Sequence, residues 1–237
     1  MRRNYLRGVR HGIPIGIGYF SVSFTFGILA LKYGLSVFQA GLISLTNVTS
    51  AGQFAGLTVI VTGATLLEMV LTQLVINSRY ALMSLALGQK LAPGTNTFCR
   101  CVIAFSNTDE IFAVAMSSPV PLTTSYMLGL STIPILGWVS GTICGAVASS
   151  LLPANVQSAL GVALYGMFIA IVVPQTESNR KLLFVTILAL IFSSIFYWLP
   201  VLKDISTGLA IVICTVLAAG IGAIFFPVPE SEGGSAS

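Results

Sequence analysis

Apolar residues run almost without interruption from Ile13 to Phe226, in blocks separated by short breaks that carry proline, glycine or charge. The blocks are Ile13–Leu31, Leu35–Val61, Gly63–Leu87, Thr97–Ser118, Leu122–Leu152, Val156–Val173, Leu182–Leu199 and Ile205–Phe226. About 20 apolar residues in a helix cross a bilayer, so the pattern predicts an all-α, polytopic transmembrane bundle of seven or eight spans. The second and fourth blocks depart from it because both contain polar runs. In the second, Thr46-Asn47-Val48-Thr49-Ser50-Ala51-Gly52-Gln53 interrupts the block, and Leu35–Leu45 is too short to cross alone. Polar, flexible backbone at membrane depth is tolerated only where protein or water surrounds it. The segment therefore reads as a broken or re-entrant helix, with a short loop between two spans as the alternative. In the broken-helix reading, the N-terminus of the second half-helix offers free N–H groups to a carboxylate.

Composition agrees with the pattern. Hydrophobic residues are 55% of the 237 and charged residues 8%, where a soluble domain carries about 25% charged residues. The basic start, with Arg2, Arg3, Arg7 and Arg10, and the pair Arg180–Lys181 predict a cytoplasmic N-terminus by the excess of Lys and Arg in inner loops. Eight full spans leave Lys90 and Arg100 outside, against that rule; one re-entrant segment reduces the count to seven. Residues 1–12 form the basic entrance, 13–226 the membrane domain and 227–237 a polar tail, read in part as added expression sequence. Ile13–Leu31 reads as a retained first helix rather than a cleaved signal peptide, being long and lacking a small-x-small site near its end.

Three acids stand within apolar sequence: Glu68, Asp109 and Glu110. A charge at the centre of a transmembrane helix costs about 2.5–3.5 kcal/mol on insertion scales, so each calls for a partner, a water-filled cavity or a function. Glu68 and Arg79 are eleven residues apart, about 16 Å along a helix axis, too far to pair within one straight helix. Asp109 or Glu110 is the available acid for Arg79, unless Arg79 snorkels to a membrane face. Glu68, Thr72, Val75 and Arg79 share one helix face; Gln73, Asn77 and Tyr80 share another. Gly137, Gly141 and Gly145, continued by Ser149, repeat every fourth residue, as do Gly8, Gly12 and Gly16; such stripes let helices approach closely. Cys99, Cys101, Cys144 and Cys214 make no CxxC pair and stand beside no histidine, which predicts small buried residues rather than metal ligands.

Gly52-Gln53-Phe54, Asn77-Ser78-Arg79-Tyr80 and Thr108-Asp109-Glu110, in this order, resemble the AzlC-type branched-chain amino acid permease family. The opening IPIGIGYFSVSFTFGILALKYGLS resembles that family's first helix, and the likeness extends over about residues 10–225. The resemblance implies the large subunit of a two-component bacterial exporter of valine, leucine and isoleucine, with methionine a further candidate. It would act in the cytoplasmic membrane with a small hydrophobic AzlD-type subunit. Many relatives carry His where Tyr80 stands, and the run before Gly52 is richer in polar residues here.

A zwitterionic substrate needs an anion site, a cation site and an apolar slot. Arg79 or the half-helix end at Gly52 and Gln53 suits the carboxylate, Asp109 or Glu110 the ammonium, and Phe54 the slot; Asn77 belongs to the same motif set. Glu68, Asp109 and Glu110 are the acids available for proton coupling. No cofactor or metal is expected. A single histidine, His11, rules out HExxH zinc chemistry, and neither a GxGD pattern nor a Ser-His pair supports an enzyme. The net charge of +4 is concentrated at the N-terminus, as topology signals are, and gives no support to nucleic-acid binding. A structural membrane subunit without its own substrate site is the alternative to a transporter.

Overall fold

A computed structural model describes residues 2–149, 151–153, 155, 156, 169, 173, 176, 177, 179–202 and 205–227. The helices are α1 (Arg2–Lys32), α2 (Val37–Thr46), α3 (Ala51–Val61), α4 (Leu66–Lys90), α5 (Thr97–Phe105), α6 (Asp109–Met116), α7 (Thr124–Ser149), α8 (Arg180–Trp198) and α9 (Thr207–Phe225). Five of them, α1, α4, α7, α8 and α9, are long and apolar enough to cross a membrane. The expected span Val156–Val173 lies outside the described residues except for Val156, Ile169 and Val173, and so does the polar tail except for its first residue.

The core is a pair of parallel helices, α1 and α7, in contact along their length. Glycines make the approach possible from both sides. A Cβ at Gly8 would meet the Tyr126 carbonyl, at Gly16 the Ile133 backbone and at Gly27 the Thr142 carbonyl; at Gly137, Gly141 and Gly145 it would meet Gly16, Phe20 and Phe24 backbone atoms. Partners rise in number together along the two helices, which fixes the parallel direction. The two stripes seen in the sequence are thus two sides of one seam. Lipid supplies no hydrophobic drive between helices, so close backbone packing must hold them.

Both interrupted segments turn back instead of crossing. The first starts beside the end of α1, where Ala40 packs with Phe26 and Ala30, and descends until Val48 meets Tyr19 and Trp138. It then returns, because Phe54 of α3 lies against Phe26 again (ring centroids 5.4 Å) and Gln53 bonds Ser44 of α2. The second starts and finishes at the C-terminal end of α4. Ala92 and Leu122 pair backbones across the base, Lys90 reaches the Met116 carbonyl at 2.5 Å, and Asn107 at the tip bonds Ser84. Two helical hairpins therefore enter the bundle from opposite ends. The first hangs beside α1, the second beside α4, and α1 and α4 are antiparallel, since Arg79 and Tyr80 lie near Tyr19 while Leu87 packs with Tyr126, the neighbour of Gly8 and His11.

Local chemistry sets the ends. Ser36 caps α2 in a reciprocal box with Gln39 (3.2 and 2.8 Å), and Asn96 caps α5 through the Cys99 N–H at 2.8 Å. Those are the outer ends of the hairpins. At the inner ends, Ser50 before α3 and Thr108 before α6 make no side-chain cap bond.

Reversal of the first hairpin makes α4 run back across the bundle and brings Lys90 and Arg100 to the same end as Arg2, Arg3, Arg7 and Arg10. The conflict with the charge rule came from counting the second block as a crossing.

Cysteines placed singly at Tyr33 and Thr62, in a background lacking the native thiols, should be labelled by an impermeant maleimide from one side of the membrane. Those at Thr95 and Ser118 should be labelled from the other. Labelling of Tyr33→Cys and Thr62→Cys from opposite sides would mean that the first segment crosses.

Candidate functional site

Between the two hairpin tips lies a cavity of about 600 Å³. Its polar wall comes from the tip of the first hairpin (Thr49, Ser50), from α4 (Arg79, Tyr80) and from the start of α6 (Thr108, Asp109, Glu110). Ile15 and Val22 of α1, Val48 and Trp138 supply an apolar wall. Larger grooves along α4–α5 and between α8 and α9 are lined mainly by apolar residues and, among the described residues, gather no opposed charges.

The central contact is an ion pair. Arg79 Nη1 lies 2.6 Å from Asp109 Oδ2, with the two side chains 46% and 47% exposed, so both remain open to the cavity. Arg79 also donates to the Tyr80 hydroxyl at 3.2 Å and lies 4.9 Å from that ring's centroid. The ring fixes the guanidinium by a cation–π contact, as an imidazole at this position would not in its charged form. Glu110 has a different partner. Its carboxylate hydrogen-bonds the buried Tyr19 hydroxyl, which also bonds Thr108 Oγ1 at 2.6 Å.

Backbone geometry adds to the site. Ser50 has φ +48° and ψ −93°, outside the ordinary helical and extended regions, at the tip that faces the cavity. Such strain persists only where surrounding structure over-determines it. Both α3 and α6 begin at the cavity without side-chain caps, so their N-terminal N–H groups and positive dipole ends converge there.

Arg79, Asp109 and Glu110 are thus brought together, and the sequence expectation of an acid partner for Arg79 is met by Asp109. The other candidates lie elsewhere. Gln53 is 1% exposed and holds the first hairpin to α7: its Oε1 accepts from Trp138 Nε1 at 2.9 Å and its Nε2 donates to Ser44 Oγ at 2.5 Å, with Ser44 bonded in turn to Thr142 at 2.6 Å. Phe54 packs on Phe26. Gly52 lets α4 close on α3: a Cβ there would meet Gln73 Oε1 at 2.9 Å and Asn77 Nδ2 at 3.0 Å, and Gln73 Nε2 donates to the Gly52 carbonyl at 2.8 Å. Asn77 donates to Gln73 Oε1 at 2.9 Å, completing a line of amides behind the tip. Glu68 sits in the first turn of α4, its N–H on the Thr65 cap and its side chain toward Gly208.

Sequence reasoning missed Tyr19, Trp138 and the cavity-facing Ile15 and Val22. A hydroxyl-bearing aromatic in the glycine-rich run IGIGYF was the available signal for Tyr19. Trp138, inside the glycine stripe of α7, was hidden by its helix-packing neighbours.

The sequence model of the family described as AzlC protein matches residues 14–152, a range that contains both hairpins and the whole cavity. An uncharacterized membrane protein of Archaeoglobus fulgidus is 33% identical over 178 residues, 74% of this chain and 78% of its own length. The inner membrane protein YgaZ of Escherichia coli is 27% identical over 186 residues, 75% and 76% of the two chains. An uncharacterized membrane protein of Helicobacter pylori strain J99 is 27% identical over 175 residues, 72% and 75%. No solved structure matches the chain.

Because Gln53 is buried, Gln53→Ala orphans Trp138 Nε1, at about 1–3 kcal/mol, and removes one of two partners of the Ser44 hydroxyl, which keeps Thr142. The expected result is a lower unfolding temperature in detergent. An unchanged unfolding temperature would contradict this structural role for Gln53.

Proposed function

The chain belongs to the AzlC family of membrane proteins, and from that premise we propose that it is a proton-coupled secondary transporter exporting branched-chain amino acids. Valine, leucine and isoleucine are the substrates, with methionine a further one. The observation that carries the reading is the cavity in which the Arg79–Asp109 ion pair, half open to solvent, faces apolar walls between two hairpin tips. A zwitterion with an aliphatic side chain has the complementary chemistry. Its carboxylate replaces Asp109 on Arg79 and takes N–H groups from the uncapped start of α3. Its ammonium takes Asp109. Its side chain lies among Ile15, Val22, Val48 and Trp138. A volume of about 600 Å³ is within the range of small-molecule sites, about 300–1,000 Å³. Broken helices meeting at mid-depth are a recurrent way for transporters to hold charged substrates.

The protein resides in the bacterial cytoplasmic membrane with its N-terminus inside. Gathering of Arg2, Arg3, Arg7, Arg10, Lys90 and Arg100 at one end of the bundle supports that orientation. It works as the large subunit beside a small hydrophobic AzlD-type protein. The outer face of α4, with Leu66, Leu67, Leu74, Leu82 and Leu85 exposed, offers apolar surface for lipid or for such a subunit.

Vesicles carrying the protein, with and without the small subunit, should release labelled leucine, and Asp109→Asn or Arg79→Gln should cut that release while membrane levels stay normal. A hydrogen bond to a charged group contributes about 1.5–3 kcal/mol, so the loss should be about tenfold or more. Wild-type rates in both variants would remove the cavity from the transport cycle.

A further inference from the structure

The two adjacent acids of the cavity do not have equivalent partners, and we infer that they divide the work: Asp109 belongs to substrate and Arg79, whereas Glu110 carries the coupling proton with Tyr19 as its positioning residue. The inference rests on the transporter reading above and adds to it an assignment of the proton to one carboxylate.

The two acids differ in what each would leave behind on taking up a proton. Asp109 is paired with Arg79 at 2.6 Å. Neutralising it removes the counter-charge of a guanidinium held in the membrane bundle, which is costly unless another anion replaces it. A substrate carboxylate is such an anion, so the state of Asp109 is tied to substrate. Glu110 has no cation within ion-pair distance among the described residues. Its side-chain partner is a neutral hydroxyl, Tyr19. A protonated carboxyl keeps a hydrogen bond with a hydroxyl, as donor or as acceptor, so Glu110 can gain or lose a proton without orphaning a charge.

Access and surroundings agree. Glu110 is exposed within the bundle and lines the cavity, so cavity water can deliver and remove its proton. The titratable or charged groups facing it are Tyr19 from α1, Arg79 and Tyr80 from α4 and Asp109 from α6; the first hairpin tip contributes Val48, Thr49 and Ser50, and α7 contributes Trp138. Among these, Tyr19 makes the direct bond.

Tyr19 is also placed to pass the state of Glu110 to the moving parts. Its ring lies edge-on to Trp138, with centroids 5.4 Å apart, and packs with Val48 at the tip of the first hairpin. Its hydroxyl touches Thr108 and Glu110 at the tip of the second. Trp138 in turn holds Gln53 of the first hairpin. One side chain therefore ties the two oppositely inserted hairpins together, and the tie ends on Glu110. The proton comes from water on the outer side, resides on the Glu110 carboxylate and leaves to water on the inner side as amino acid moves outward.

The test uses the full protein, with its small subunit, in proteoliposomes, and compares leucine efflux driven by an inward proton gradient with leucine–leucine exchange at equal pH. Glu110→Gln should lower the ratio of driven efflux to exchange by about tenfold or more, while Asp109→Asn should lower both together. Tyr19→Phe keeps the ring on Trp138 and Val48 and removes the hydroxyl; the pH profile of driven efflux should shift from that of wild type. Equal loss of both activities in Glu110→Gln overturns the division, as does a Tyr19→Phe profile that superimposes on wild type or a wild-type efflux indifferent to the proton gradient. If wild type neither exchanges nor releases leucine, the transporter reading itself fails, a distinct result.

Discussion

Backbone N–H and C=O groups released from a helix cannot be left in hydrocarbon, and two helices in this bundle are interrupted at mid-depth. Everything around the cavity answers that constraint. At the first break, the Gly52 carbonyl takes Gln73 Nε2 at 2.8 Å and the Gly52 N–H reaches the Thr49 carbonyl at 3.3 Å. At the second, the N–H groups of Ser106, Asn107 and Thr108 bond the carbonyls of Ile103, Ala104 and Ser106 at 3.2, 3.2 and 3.0 Å. The starts of α3 and of α6 have no side-chain cap, and both open on the same space. A polar, water-accessible chamber at that point lets the fold keep two broken helices. The charged groups Arg79, Asp109 and Glu110 sit in that chamber for the same reason.

The α1–α7 seam provides the rigid part. Its glycines bring the two backbones together so closely that most added methyl groups would strike the opposite main chain. Little adjustment is available there. The hairpins, by contrast, are attached through apolar contacts such as Phe54 on Phe26 and discrete side-chain ties: Gln53 to Trp138, Ser44 to Thr142, Tyr19 to Thr108 and Glu110. A few hydrogen bonds of this kind can be exchanged during a transport cycle where a continuous backbone seam cannot. The division between a fixed pair of spans and two oppositely inserted hairpins is one physical route to alternating access.

Much of this could be read from residues alone. The polar run in the second apolar block located the first break, the fourth block stood out by a polar run of its own, and the unpaired acids located the site, because charge in a span needs an explanation that apolar sequence does not. The glycine stripes at Gly8–Gly16 and Gly137–Gly145 were visible as packing surfaces, yet periodicity does not say which stripe meets which. Direction of travel after each break was also not legible: a half-helix that crosses and one that returns have the same composition, and only contacts such as Phe26–Phe54 separate them. Gln53 shows the same limit at one residue. Its place in a polar motif suggested the cavity, but its amide serves Ser44 on the other arm of the hairpin and Trp138, far away in sequence.

The central claim, that substrate binds between the hairpin tips, is tested most directly by protection of a single cysteine. Ala51→Cys places a thiol at the start of α3 on the cavity wall. Leucine should slow its alkylation by a small maleimide, half-maximally at the concentration that half-saturates transport, while a cysteine at Leu85 on the outer face of α4 is unaffected. Full-rate alkylation of Ala51→Cys in saturating leucine, by a protein that still transports it, would contradict the account.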